Sequence, residues 1–91
     1  MAKVIITANV EDAKTWETNF KTHTALFKTY GLMAPVDYTL VDNELTICME
    51  PGNAEAFIKL TKEQPTLDAM KFDGVKSDTV KIVVLDKAYA I

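Results

Sequence analysis

Six stretches of the 91-residue chain carry a clear hydrophobic period, in the order strand, helix, strand, strand, helix, strand, and that order leaves few folds open. Residues 3–10, KVIITANV, are β-branched and apolar and stop at the acidic pair Glu11 and Asp12, which reads as a strand followed by a helix start. From Ala13, the positions Ala13, Trp16, Phe20, His23, Phe27 and Tyr30 step by three and four residues onto one face of one helix, and Gly31 stands where helices commonly end. PVDYTLVDNELTICME holds two alternating runs, Val36/Tyr38/Leu40 and Leu45/Ile47/Met49, joined around Asp42, Asn43 and Glu44 as in a hairpin. Pro35 suits the first residue of an edge strand, where a missing N–H costs little. Pro51 and Gly52 turn the chain, and Asn53 can cap a helix with Phe57 and Leu60 on its inner face. Pro65 breaks that helix; PTLDAMKFDG restarts a short one with Leu67 and Met70 inward, ending near Gly74. TVKIVVLDKAYAI is the last strand and runs almost to Ile91.

Two right-handed βαβ halves interlock in this order as a ferredoxin-like α+β fold, βαββαβ, with a four-stranded antiparallel sheet and both helices on one face. One domain over residues 1–91 is expected, without linker, repeat or low-complexity segment. The helices leave the other sheet face bare. In strand 1, Val4, Ile6, Ala8 and Val10 point one way while Ile5 is apolar on the other; in strand 4, Val80, Ile82 and Val84 oppose Val83 and Leu85. Both faces are thus apolar in these central strands, whereas a half-solvated antiparallel sheet alternates more cleanly. A second copy packed sheet to sheet is the simplest cover, giving a two-fold homodimer and an α+β barrel. Lys3, Thr7, Asn9, Lys81 and Lys87 are the residues that would instead suit this face to a monomer.

Composition removes several function classes. All ten basic residues are Lys against thirteen acidic ones, for a net charge of -3, so neither the forked donor that grips phosphates nor the clustered positive charge of a nucleic-acid binder is present. Cys48 is the sole cysteine and His23 the sole histidine, which excludes an internal disulfide and a cysteine-based metal cluster and leaves no ligand set for structural zinc. No apolar run reaches about 18 residues, so no membrane span is expected, and MAKVII carries no secretory pattern, which makes the cytoplasm the default location. There is no Gly-rich phosphate loop, no G-x-S-x-G elbow and no H-E-x-x-H. ELTICMEPG lacks the aromatic pair with which RNA-binding ferredoxin-like domains stack bases, and acylphosphatase chemistry needs an Arg. No cofactor is expected; haem would need an axial ligand, for which His23 is the one conventional candidate.

NVEDAKTWETNFKTHTALFKTYGL, DNELTICME, AFIKL and PTLDAMKFDGV together resemble one branch of the dimeric α+β barrel proteins, over nearly the whole chain. The resemblance rests on an ordered set: Asp12 after strand 1, Trp16, Phe20, His23, and Gly31 eight residues after the His. Pro65, Leu67 and Met70, leading to the pair Gly74 and Val75, complete it. It implies a ferredoxin-like subunit that pairs through its sheet, often with a cavity between sheet and helices. The wider superfamily includes cofactor-independent monooxygenases, polyketide cyclases, isomerases and haem-handling enzymes, beside many members without a known activity. Relatives often carry Arg one turn after the His, and Phe27 stands there here, so the resemblance does not extend to an anion-binding His and Arg pair.

His23 is the candidate catalytic residue, at the centre of the apolar helix stripe and aimed at the sheet. An imidazole in a lined cavity can act as a general base or donate to a carbonyl ligand. It can equally bond Tyr30, Tyr38 or a backbone carbonyl and simply fill space. Trp16, Phe20, Phe27, Tyr30, Tyr38 and Met70 are candidate walls for a small hydrophobic or aromatic ligand, and the same residues serve as ordinary core. Met33 and Met49 are adaptable fillers of the same kind, and Cys48, without a basic neighbour, reads as an inert thiol. Two functions stay open: a ligand-binding protein, as a cofactor-free oxygenase, cyclase or isomerase anchored by His23, and a non-catalytic dimeric module with His23 packed in its core.

Overall fold

The computed structural model describes residues 3–32 and 35–91. Along the chain come β1 (Lys3–Asn9), α1 (Ala13–Phe20), α2 (Thr24–Thr29), β2 (Asp37–Val41), β3 (Glu44–Met49), α3 (Ala54–Thr61), α4 (Gln64–Phe72) and β4 (Lys81–Leu85), with a 3₁₀ turn at Ser77–Thr79 before the last strand. The sheet is antiparallel in the order β2-β3-β1-β4, so the expected βαββαβ arrangement holds, with each helical crossover split in two. β4, expected to be central, is an edge.

Alternation along the strands decides which face the helices cover. Val4, Ile6 and Ala8 of β1 and Leu45, Ile47 and Met49 of β3 are buried, and Ile82, Val84, Tyr38 and Leu40 extend their layer across the edge strands. Trp16 of α1 and Phe57 of α3 press onto this layer and are the largest fully buried side chains. Each crossover begins with a cap that the sequence supplies. Asp12 Oδ2 accepts from the Thr15 backbone N–H at 2.9 Å and from its hydroxyl at 2.7 Å, and Asn53 Oδ1 accepts from the Ala56 N–H at 3.0 Å. Those bonds to Thr15, of which the side-chain one acts most, hold the Asp12 carboxyl below its usual pKa.

The long first helix does not continue through His23 as its apolar stripe suggests. α1 ends at Phe20, and the chain tightens: Thr22 and His23 donate their N–H groups to Asn19 and Phe20, three residues back, while the Thr22 hydroxyl claims the Asn19 carbonyl at 2.6 Å. A side-chain donor that competes for a helical carbonyl favours such a break. His23 thereby becomes the residue before α2, its carbonyl accepting from the Phe27 N–H at 3.0 Å. The apolar stripe survives the break because α2 resumes nearly in phase: Phe20 still meets Phe27, ring centres 4.9 Å apart.

Two further expectations change. Leu67, expected inward, is exposed on α4, because the start of α4 at Gln64 turns Thr66 rather than Leu67 toward the interior. The last strand stops at Leu85, which pairs with Lys3, and residues 86–91 run on without strand pairing. Met33 lies outside the described residues. On the outer sheet face, Ile5 stands between Cys48 and Val83 in register, and Val83 and Leu85 are half exposed.

Candidate functional site

Between the inner sheet face and the helices lies a cavity of about 70 Å³. Its walls include five of the residues singled out from sequence beside His23, namely Trp16, Phe20, Phe27, Tyr30 and Met70, together with Met49 of β3. Tyr38 is not among them. Being on the edge strand β2, it lays its ring edge-on to Trp16 at 5.4 Å and its hydroxyl donates to the Glu17 carboxylate, a bond that raises the Tyr38 pKa. Cys48, whose side chain alternates to the outer face, is also remote from the cavity.

Asp73 completes the site, and sequence reasoning missed it. It closes α4, its backbone N–H donating to the Ala69 carbonyl at 3.0 Å, and Gly74 follows at φ +78°, a left-handed turn that suits glycine. That turn sets the Asp73 carboxylate against His23, whose Nε2 lies 2.9 and 3.0 Å from the two oxygens. The side chains are 16% and 5% exposed, so this is a largely buried pair. The expected partners Tyr30 and Tyr38 do not bond His23. One signal was available in the sequence: an acid at a helix C-terminus opposes the helix dipole and needs a compensating partner.

The hydroxyls of the cavity each donate within the protein. Thr66 donates its hydroxyl to the Leu60 carbonyl at 2.9 Å and in turn accepts from the Tyr30 hydroxyl. The Thr61 hydroxyl donates to the Ile58 carbonyl at 2.5 Å. Facing carboxylate oxygens, His23 Nε2 must carry a proton, which leaves the lone pair of the neutral ring on Nδ1. Among the described residues Nδ1 has no hydrogen-bond partner and no fully enclosed side-chain N or O atom goes unpaired, so Nδ1 keeps an open side. Phe27 and Phe72 flank the imidazole edge-on, each with ring centres 6.2 Å from it. No group of three or more His, Cys, Asp and Glu converges as a metal site among the described residues.

Burial pushes the Asp73 carboxyl up from its ordinary pKa, and the hydrogen bond and charge of His23 oppose that rise without cancelling it. Below about pH 3.8 Asp73 holds its proton folded or unfolded, and its contribution to stability is intact. As pH climbs through the higher folded value, the unfolded chain has already ionised and that contribution is lost. Asp12 titrates the opposite way, its contribution being lost as pH falls through its lowered value. Urea midpoints of wild type and Asp73→Asn between about pH 3 and about pH 7 are therefore expected to converge at the acid end and to shift in favour of Asn as pH rises. Parallel curves would show that Asp73 titrates as an ordinary surface acid.

No protein-family model matches the sequence, and no curated protein matches it. Solved structures do match over almost the whole chain. SnoaB, a cofactor-independent oxygenase from Streptomyces nogalater, superposes with a TM-score of 0.71 at 13% identity, covering 99% of this chain and 95% of its own. The monooxygenase from the gene ActVA-Orf6 of Streptomyces coelicolor, solved in complex with nanaomycin D, gives 0.61 at 12% identity, with 99% and 89% covered. An antibiotic biosynthesis monooxygenase gives 0.65 at 12% identity, with 98% and 100% covered. The fold is that of the antibiotic biosynthesis monooxygenases, in keeping with the resemblance to dimeric α+β barrel proteins. No helix among the described residues is long and apolar enough to cross a membrane.

Proposed function

We propose that this chain forms a sheet-to-sheet homodimer whose subunits each bind a small apolar ligand between sheet and helices, with His23 as the polar anchor. The activity best suited to that arrangement is cofactor-independent oxygenase, cyclase or isomerase chemistry on the bound ligand. The observation that carries the reading is the cavity itself: apolar walls, committed hydroxyls, and one imidazole nitrogen left unpartnered among the described residues. The oxygenase and the nanaomycin D complex among the fold's neighbours support the same reading.

The cavity is small for its role. A void of about 150 Å³ is what benzene occupies in a protein core, so a ring ligand must widen this one. The walls are suited to that: Met70 is an unbranched, adaptable side chain, and α2 is a six-residue helix without one fully buried residue, joined to α1 through the non-helical stretch 21–23.

Thermal unfolding in the presence of a panel of phenols, naphthols and quinones tests the proposal, with His23→Gln as the comparison. At least one compound is expected to raise the wild-type midpoint, a hundredfold excess over Kd being worth about 2.7 kcal/mol, and to do so less in His23→Gln. Absence of any shift, or equal shifts in the variant, supports the other reading, a non-catalytic dimeric module in which the bond to Asp73 is the whole purpose of His23.

A further inference from the structure

We propose that α2 is a lid over the cavity, latched to α4 at both of its ends, by His23 on Asp73 at one and by Tyr30 on Thr66 at the other, and able to swing outward as a unit about residues 21–23 and Gly31. The lid governs access to the cavity and not what the cavity holds, so it stands or falls apart from the ligand reading.

The two latches are matched in spacing. His23 and Tyr30 flank α2 at positions seven apart, and Thr66 and Asp73, on α4 and at its end, are seven apart as well. The pairing is crossed, first with last and last with first, so the two segments run antiparallel, and at a rise of about 1.5 Å per residue the anchors on each stand about 10 Å apart. Leu26 and Phe27 on one side, and Ala69 and Met70 on the other, fall midway between the latches, and all four line the cavity. Among the described residues the seam is thus apolar along its middle and hydrogen-bonded only at its two ends.

By itself α2 is weak. It has six residues, too few for a helix to hold alone, none of them is fully buried, and no side chain caps its N-terminus, whereas Asp12 and Asn53 cap α1 and α3. Both flanks are pinned. Before α2, Phe20 stacks on Trp16 at 4.5 Å, and Asn19 Nδ2 donates to the Phe72 carbonyl at 3.1 Å, which ties α1 to the end of α4 without using α2. After it, Leu32 bridges to Pro51. Between pins and helix lie the two places where the chain can turn: the non-helical stretch 21–23, and Gly31, at φ +71° with no atom of the described residues, its chain neighbours aside, within 4 Å of where a Cβ would sit. Opening breaks the two latches and parts Phe27 from Phe20 and Tyr30 from Phe57, while the sheet and the other helices keep their contacts.

Ala8 of β1 lines the cavity and is 4% exposed, so a thiol placed there by Ala8→Cys reacts with iodoacetamide only when the cavity opens. Labelling at position 8, resolved from Cys48 by peptide mass spectrometry, is expected to run at least about tenfold faster than global unfolding permits and to be insensitive to low urea. Tyr30→Phe removes one latch and leaves Thr66 its bond to the Leu60 carbonyl; it is expected to speed that labelling roughly threefold to tenfold. Asp12→Ala, which uncaps α1 and lowers the urea midpoint without touching a latch, is expected to leave it unchanged. Labelling that carries the full urea dependence of unfolding, no acceleration by Tyr30→Phe, or equal acceleration by both variants overturns the lid. If Ala8→Cys does not fold, amide exchange in the unsubstituted chain decides. The Phe27 N–H, bonded to the His23 carbonyl, is then expected to exchange through an opening insensitive to urea while the β1 amides wait for global unfolding, and one common rate for the two overturns it.

Discussion

Trp16→Ala is expected to lower the free energy of unfolding by about 3–5 kcal/mol, read as a fall in urea midpoint at unchanged slope. Trp16 is 1% exposed, stacks on Phe20 with ring centres 4.5 Å apart and takes Tyr38 edge-on at 5.4 Å. Removing the indole takes away its burial and both aromatic contacts. The hole cannot close, because one side is the sheet, where β1 is hydrogen-bonded along both edges, and another is the existing cavity, which Trp16 helps to wall. A chain of this size holds on the order of 5 to 14 kcal/mol in total, so the variant approaches marginal stability. Trp16→Phe, which keeps a ring in the stack, is expected to recover more than half of that loss. A change below about 1 kcal/mol for Trp16→Ala would mean that the indole is not a structural centre of the α1 contact with the sheet.

The fold was legible because it is written in alternation. β1 and β3 show one apolar set each on the buried side, the hairpin turns at Asp42 and Asn43 where expected, and Asn53 and Pro65 mark the starts of the two helices of the second crossover. The break at 21–23 was not legible, because apolar spacing counts residues per turn and is blind to a hydroxyl such as that of Thr22 competing for a carbonyl. The site divides the same way. His23, Trp16, Phe20, Phe27, Tyr30 and Met70 converge on one cavity because they share the inner stripe of two crossovers. Tyr38 has the right face but the wrong strand, since parity along a strand says nothing of distance across the sheet. Asp73 lies fifty residues from His23, and what pairs them is the turn at Gly74 together with the packing of α4, neither of which a periodicity records.

Under the proposed dimer, Val83→Lys is expected to shift the light-scattering mass from twice the 10.1 kDa of the chain to that value at micromolar concentration. Val83, Ile5 and Cys48 stand side by side on the outer face, with Leu85 opposite Lys3 in the next row. Val83 is 54% and Leu85 50% exposed in the single chain, and beyond them Tyr89 and Ile91 are uncovered as well. Contiguous apolar surface of this kind is uncommon on monomers, and a two-fold axis through it would bring each Val83 near the partner's apolar row. In a lone subunit the substitution is nearly neutral, within about 0.5 kcal/mol, because the lysine head reaches water from an edge strand. In a closed interface the same substitution strands two ammonium groups against apolar side chains, and the interface opens before that charge is buried. Far-UV circular dichroism is expected to match wild type, which separates dissociation from unfolding. A wild-type mass of 10.1 kDa would refute the dimer outright. A Val83→Lys protein that stays dimeric would place the contact elsewhere than this sheet face.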